Sequence, residues 1–351
     1  MNKCLSDSFC VVPGLDKAIR TRRGPLVLLF YDGFEMKAEK GLSGALYSGS
    51  RRTARYLYRT LTRKQVWTGF YTAFKSLRLC LTQYGCDVRV NDHALAETNS
   101  NYPIGLAGYP TVLEKVRSNN PVIFGPGDFG YPDTAAVLAK DPRIRTLIQP
   151  SEWVASLYRA GCLDKIMVWP VGIDTELWKD SSSHPKDLDI LIYDKIRWNR
   201  DREVPRVLDR IEKHIRSSGY SFATLRYGHH HHRAFAQHLK RARSLVFLCE
   251  HETQGLAYQE ALAANVPVMA WDEGRLVDPL QRSYADPGLR VSSVPYFDDR
   301  CGMRFVLAEF EDKLEEFWRF RNNYRPRDYI EETLSLKKAA QAYLTAYSQL
   351  I

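Results

Sequence analysis

Two doubly wound α/β domains in series, facing a cleft and closed by C-terminal helices, are the fold that this sequence predicts. Three observations carry the expectation. From residue 26 onward, short apolar runs of strand length alternate with stretches of helical period. The alternation halts once, at residues 172–187 (GIDTELWKDSSSHPKD), where a Ser-Ser-Ser-His-Pro run breaks the period and reads as a linker. The length, 351 residues, suits two domains of ordinary size. Strands alternating with helices at this spacing imply parallel sheets covered on both faces. The expected units are 1–171, 172–326 and a closing helix, 327–351, packing back on the first domain.

In the first unit the basic turn at 20–24 leads into an apolar strand at 26–31, and Gly33, Gly41, Gly44 and Gly49 punctuate the loop-like segment after it. RRTARYLYRTLTRKQVW, at 51–67, reads as a helix. Its Arg51, Arg55, Arg59 and Arg63 are four apart and share one face, with Tyr56, Tyr58 and Trp67 as amphipathic rings. Such a face suits an anionic membrane surface or another anion; the alternative is a solvated basic surface. Gly69 opens a second helical stretch that Gly85 closes as a C-cap, and a strand at 87–91 follows. PVIFG, at 121–125, is a buried strand running into the turn-rich GPGDFGYPD. A helical piece at 134–140, a strand at 146–149, the helix SEWVASLYRAG and the strand KIMVWP complete the unit.

Beyond the linker the pattern restarts with a strand at 189–193, a helix at 203–217, a strand at 222–227 and a helix at 233–243. The tail from 305 is helical, with Phe310, Leu314, Phe317 and Trp318 on an apolar stripe, and a last helix runs from about 327 to 350. There is no repeat at a fixed period.

The composition is globular, 44% hydrophobic and 26% charged, and no apolar run reaches the ~20 residues that cross a bilayer. The first residues lack the charged-then-apolar layout of a signal peptide, so a cytoplasmic protein, peripheral at most to the inner membrane face, is expected. Seven cysteines are scattered without a C-x-x-C pair and read as reduced thiols. The net charge of +9 sits wholly in residues 1–171, with 23 Lys+Arg against 14 Asp+Glu; residues 172–351 hold 27 of each. That asymmetry suggests an acidic partner for the first unit. No recognition motif accompanies the charge, and nucleic-acid binding is not expected.

The most informative stretch is SLVFLCEHETQGLAYQEALAANVPVMAWDEG, at 244–274. It reads as a strand, a polar break, a helix over 254–264 and a second strand at 268–271. At the helix start, Gly255, Leu256 and Ala257 offer backbone N–H groups without partners inside the helix; with the helix dipole they make an anion site. Two carboxylates bracket it, Glu252 before the helix and Glu260 within it. The arrangement suits a phosphate-bearing ligand with hydroxyl groups at both ends.

These residues resemble the signature of the retaining glycosyltransferases built from two Rossmann-like domains, the GT-B architecture. The resemblance is to the large family-4-like group that includes sucrose synthases and bacterial mannosyltransferases. Their Glu, seven residues, then Glu, in a context like E-G-F-G-L-x-x-x-E-A-x-A-x-G-x-P-V, stands here from Glu252 through Gly255, Leu256 and Glu260 to Val266-Pro267-Val268. Thr253 replaces a usual Gly, and Asn265 replaces another at the helix end, where Asn is the next-best residue for a left-handed backbone. A second match, 151–178, resembles the family's segment between the domains, with Val171 where Asn is common. Lys195 and Arg200 resemble its Arg and Lys five apart, with the types exchanged.

The resemblance implies a metal-independent hexosyltransferase that moves a sugar, with retention, from a nucleotide-diphosphate sugar to a glycan, lipid-linked or small-molecule acceptor held by the first domain. No cofactor is implied beyond that co-substrate. It would place Lys195 and Arg200 on the diphosphate, with the N–H groups of Gly255, Leu256 and Ala257, and with Thr253 and Gln254 in the same donor loop. Glu252 would face the donor sugar and Glu260 the ribose. The family's first-domain His has no counterpart in the loop 125–132, where Asp128 is the one residue charged at neutral pH; its alternative is a turn-capping Asp. His229 to His232, four in a row before a helix, lie in the loop that the resemblance puts near the nucleotide; consecutive residues do not readily share one metal ion. The alternative function is a protein that keeps the fold and binds nucleotide sugar or glycan without turnover.

Overall fold

The computed structural model describes residues 12–33, 35 and 69–351. The helix expected at 51–67, with its four arginines, lies outside these residues, as do Cys4 and Cys10. The five cysteines within them are buried and free.

The first sheet has seven strands: β1 Arg20–Thr21, β2 Gly24–Asp32, β3 Asp87–Val90, β4 Ile104–Gly108, β5 Val122–Gly127, β6 Ile144–Gln149 and β7 Ile166–Val168. Apart from the short antiparallel β1, all pairs are parallel, and β2 lies between β3 and β4 before the order runs on through β5, β6 and β7. The second sheet is parallel throughout. It contains β8 Leu188–Asp194, β9 Phe222–Arg226, β10 Ala242–Leu248, β11 Val268–Trp271 and β12 Gly302–Phe305, in the order β12-β11-β10-β8-β9. Its central strands are apolar on both faces, as burial between two helix layers requires: Leu191, Leu245 and Phe247 face one layer, Ile192, Val246 and Leu248 the other.

The first sheet is covered by α1 Gly69–Gln83, α2 His93–Thr98, α3 Thr111–Lys115, α4 Pro132–Leu138 and α5 Glu152–Cys162. In the second, α6 Arg200–Glu203 passes through a π-helical turn, Val204–Leu208, into α7 Asp209–Ser217. Pro205 sits in that turn and has no N–H to give the α ladder. Next come α8 His232–Arg241, α9 Leu256–Ala263, α10 Pro279–Arg282, α11 Phe310–Phe320, α12 Pro326–Thr333 and α13 Leu336–Ser348. Asn265, after α9, takes φ +61°, the left-handed backbone that Asn tolerates.

The single last helix expected from about 327 is two. The Leu334 carbonyl accepts from the Ile173 N–H at 2.8 Å, and Ser335 bridges Ile173 in strand fashion, so the backbone leaves the helix there. The chain thus crosses between the sheets twice, side by side. Tyr329 and Ile330 of α12 belong to the core of the second sheet, whereas Tyr343, Leu344 and Tyr347 of α13 belong to that of the first. The Tyr347 hydroxyl donates to the Pro103 carbonyl at 2.5 Å and accepts from the Leu28 N–H at 3.1 Å; Trp169 Nε1 donates to the Ala339 carbonyl at 2.9 Å.

Strand β4, unforeseen from sequence, owes Gly105 to this helix. A methyl group at Gly105 would overlap the Tyr343 hydroxyl and a Leu29 methyl. Gly105→Ala is expected to destabilise the fold by about 1–3 kcal/mol through overpacking. A urea midpoint equal to that of the parent would refute the packing argument.

Candidate functional site

The second sheet reverses its strand order between β8 and β10, and ligands of doubly wound sheets sit beyond the strand ends at such a point. Lys195 follows β8 directly, and its N–H donates to the Leu248 carbonyl at the end of β10, at 2.8 Å. Glu252 lies in the loop after β10. The Lys195 ammonium and the Glu252 carboxylate form an ion pair, with side chains only 13% and 6% exposed. Burial works to lower the Lys195 pKa, but the charge of Glu252 and its hydrogen bond outweigh it and hold the ammonium above the ordinary lysine value. The same ammonium lies 4.5 Å from the centre of the Tyr227 ring, which follows β9.

Glu252 is held by its backbone as well. Its N–H donates to the Ser292 carbonyl at 3.0 Å, and its carbonyl accepts from Trp153 Nε1 of α5 at 2.8 Å. Trp153 belongs to the first core, so a residue of one sheet fixes the loop at the end of the other. Gln254 makes the second such tie. Its side-chain amide closes on Val171, accepting from the N–H and donating to the carbonyl, both at 2.8 Å, and it also donates to Gln259 Oε1 at 3.0 Å. A family-like Asn at 171 is not needed to satisfy these backbone groups. Gly255 starts α9 at φ +85°, and a side chain there would overlap the Tyr258 ring. Leu256 and Ala257 open the helix, half-buried, and Thr253 is exposed beside them.

Glu260, one helical turn into α9, accepts from or shares a proton with His232 Nε2 at 3.1 Å. Burial raises the Glu260 pKa. The hydrogen bond from Glu260 raises that of His232 against a smaller opposing effect of burial. His232 also packs edge-on to Trp178, whereas His230 turns to the Arg226 carbonyl and Tyr193, so these two rings of the tetrad face different partners.

Arg200 is turned to the buried Asp194, which its guanidinium grips at 2.9 and 2.7 Å, rather than to the Lys195–Glu252 pair. Asp128, at the end of the first sheet, accepts from the Gly130 N–H at 3.0 Å and so caps its own turn. His251, between the acids Glu250 and Glu252, is 2% exposed, and burial pushes its pKa down to about 4. Its ring lies against Trp198 and Trp153. Neither Trp153 nor His251 stands out in the sequence, since each acts across a long chain separation or inside an otherwise ordinary loop.

No protein-family model matches this sequence, and no curated protein does. Solved structures of similar architecture exist. One is a sucrose-phosphate synthase from Thermosynechococcus elongatus, 12% identical, with TM-score 0.54 over 93% of this chain and 99% of that one. AviGT4, a glycosyltransferase involved in avilamycin A biosynthesis, is 11% identical, with TM-score 0.51 over 93% of this chain and 98% of that one. For Staphylococcus aureus TarM the chain spans 58% of the longer protein, at 12% identity, 77% coverage of this chain and TM-score 0.49. The fold is the GT-B architecture.

Proposed function

We propose that the chain is a retaining, metal-independent hexosyltransferase that takes a sugar from a nucleotide diphosphate to a glycan, lipid-linked or small-molecule acceptor. The buried Lys195–Glu252 pair at the reversal point of the second sheet carries the reading. A fixed cation beside a helix N-terminus favours a diphosphate, and more so as charge builds on it when the sugar departs. Lys195 takes the phosphate side, with Arg200 held behind it on Asp194. The N–H groups of Leu256 and Ala257 complete the cradle. Glu252 accepts from sugar hydroxyls, and Glu260, with His232, from the ribose. Attack of the acceptor on the face that the diphosphate leaves needs no protein nucleophile, and none is assigned.

The rival reading is binding without turnover. One ground for it, a polar contact missing at Val171, is weakened by the Gln254 amide that occupies both backbone groups there. Among the described residues no helix is long and apolar enough to cross a membrane. A cytoplasmic enzyme, touching an anionic membrane through Arg51, Arg55, Arg59 and Arg63, remains part of the proposal.

Thermal melts in UDP, GDP, ADP and TDP test the donor site. A nucleotide at a hundred times its dissociation constant adds about 2.7 kcal/mol of stability. Glu260→Ala is expected to remove most of that gain. If no nucleotide raises the melting point of the parent protein, the donor-site reading falls.

A further inference from the structure

A cavity of about 270 Å³ opens between the ends of β10 and β11 and the start of α6. Its size is just below the ~300–1,000 Å³ of pockets that enclose drug-sized ligands, so it suits one ring and its substituents rather than a nucleotide. Trp271 and Glu250 are among its lining residues and are almost fully buried, and Trp198 and Glu273 add to the wall.

Of the three lining carboxylates, Glu203 pairs with Arg206, whereas neither Glu250 nor Glu273 forms an ion pair among the described residues, although the charge of Arg197 reaches Glu250. Glu250 accepts from the N–H groups of Arg197 and Trp198, at 3.1–3.2 Å. Glu273 uses Oε1 alone, for Trp271 Nε1 at 2.9 Å and the Leu307 N–H at 3.1 Å, which leaves Oε2 open. Of the four exposed residues of the lining, three are arginines, Arg202, Arg206 and Arg275, and the fourth is the neutral Asn199. Arg206 is committed to Glu203 at 2.6 Å, whereas Arg275 is exposed and has no carboxylate partner among the described residues. The charges are therefore segregated, with acceptors deep and an uncommitted guanidinium outside.

That segregation selects a ligand. A phosphate pushed to the bottom would meet two carboxylates, and a free ammonium would meet guanidinium groups on its way in. A polyol donates to deep carboxylates, and an acidic substituent on the same ring finds Arg275. We propose that this cavity binds a pyranose ring bearing a carboxylate, its hydroxyls on Glu250 and Glu273 and its acid group on Arg275. Glu250 shares the loop after β10 with Glu252 of the proposed reacting centre, two residues apart. The ring's assignment as the acceptor rests on the glycosyltransferase reading; the binding does not.

The test is calorimetry and saturation-transfer NMR on the full chain, with methyl β-glucuronide and methyl β-glucoside, in the absence of nucleotide. The glucuronide is expected to bind about tenfold more tightly, the value of one charge-assisted hydrogen bond. Arg275→Ala, at an exposed position, is expected to remove that preference, and Trp198→Ala to weaken both ligands. Equal binding of the two sugars, no binding of either, or a preference untouched in Arg275→Ala overturns the proposal. Glucuronide binding by a protein that no nucleotide stabilises would uphold the cavity and sink the donor site instead.

Discussion

Replacing Glu252 by alanine is expected to cost the protein about 3–5 kcal/mol of stability, because it leaves the Lys195 ammonium buried without its counter-charge. Few single changes in this chain have a larger expected effect. The pair itself need not be strongly stabilising, since desolvation offsets much of its attraction. The double variant Glu252→Leu with Lys195→Met is therefore expected to be more stable than Glu252→Ala alone. The Lys195 pKa is raised in the folded state, so its contribution is complete below the unfolded value of about 10.4 and is lost only as alkaline pH passes the folded one. Under the proposed function, turnover by the protein that remains folded falls by about 100- to 1,000-fold, the usual result of removing one preorganised contact to a reacting group. Urea melts and initial rates on the folded fraction separate the two effects. A parental urea midpoint in Glu252→Ala would show that the pair is not buried as described.

Gln254→Leu is expected to cost about 2–4 kcal/mol, since the buried N–H and carbonyl of Val171 lose the amide that bridges them, at ~1–3 kcal/mol per unsatisfied group. The loss falls between the two sheets, and so it has a second readout. The halves are expected to separate further, with a larger radius of gyration in small-angle scattering. Trp153 keeps its bond to the Glu252 carbonyl in this variant, so the nucleotide-induced gain in melting temperature survives in part. A variant that melts and scatters like the parent would deny the amide its bridging role.

Much of this arrangement was legible in the sequence because the informative relationships are local. Glu252, Gly255 and Glu260 lie within one strand–helix unit, where spacing dictates geometry, and Asn265 announces the left-handed turn that ends it. The central strands of the second sheet are near-continuous apolar runs, which burial on both faces demands. What was not legible depends on partners far away in sequence. β4 looks like a loop because Gly105 and Gly108 remove its apolar signal, and the reason for Gly105 is Tyr343. Gln254 reads as a donor-loop residue, yet Val171, at the crossing between sheets, takes its amide. Arg200 resembles a phosphate clamp, yet the adjacent Asp194 binds it more closely than a sequence reading shows. The four arginines at 51–67 lie outside the described residues, and their reading rests on spacing alone.

The doubled crossing at Ile173 and Ser335 separates the order in which the chain is made from the order in which it can be finished. Domains generally fold as units while the chain emerges. Here the first sheet emerges early but needs Tyr343 and Tyr347, which follow the whole second sheet in sequence, to fill its face and to satisfy the Leu28 N–H and the Pro103 carbonyl. The second core draws only on residues from Ile173 to Leu334, so it has all its parts before α13 is synthesised. The half made first is therefore completed only after the half that follows it has all its parts.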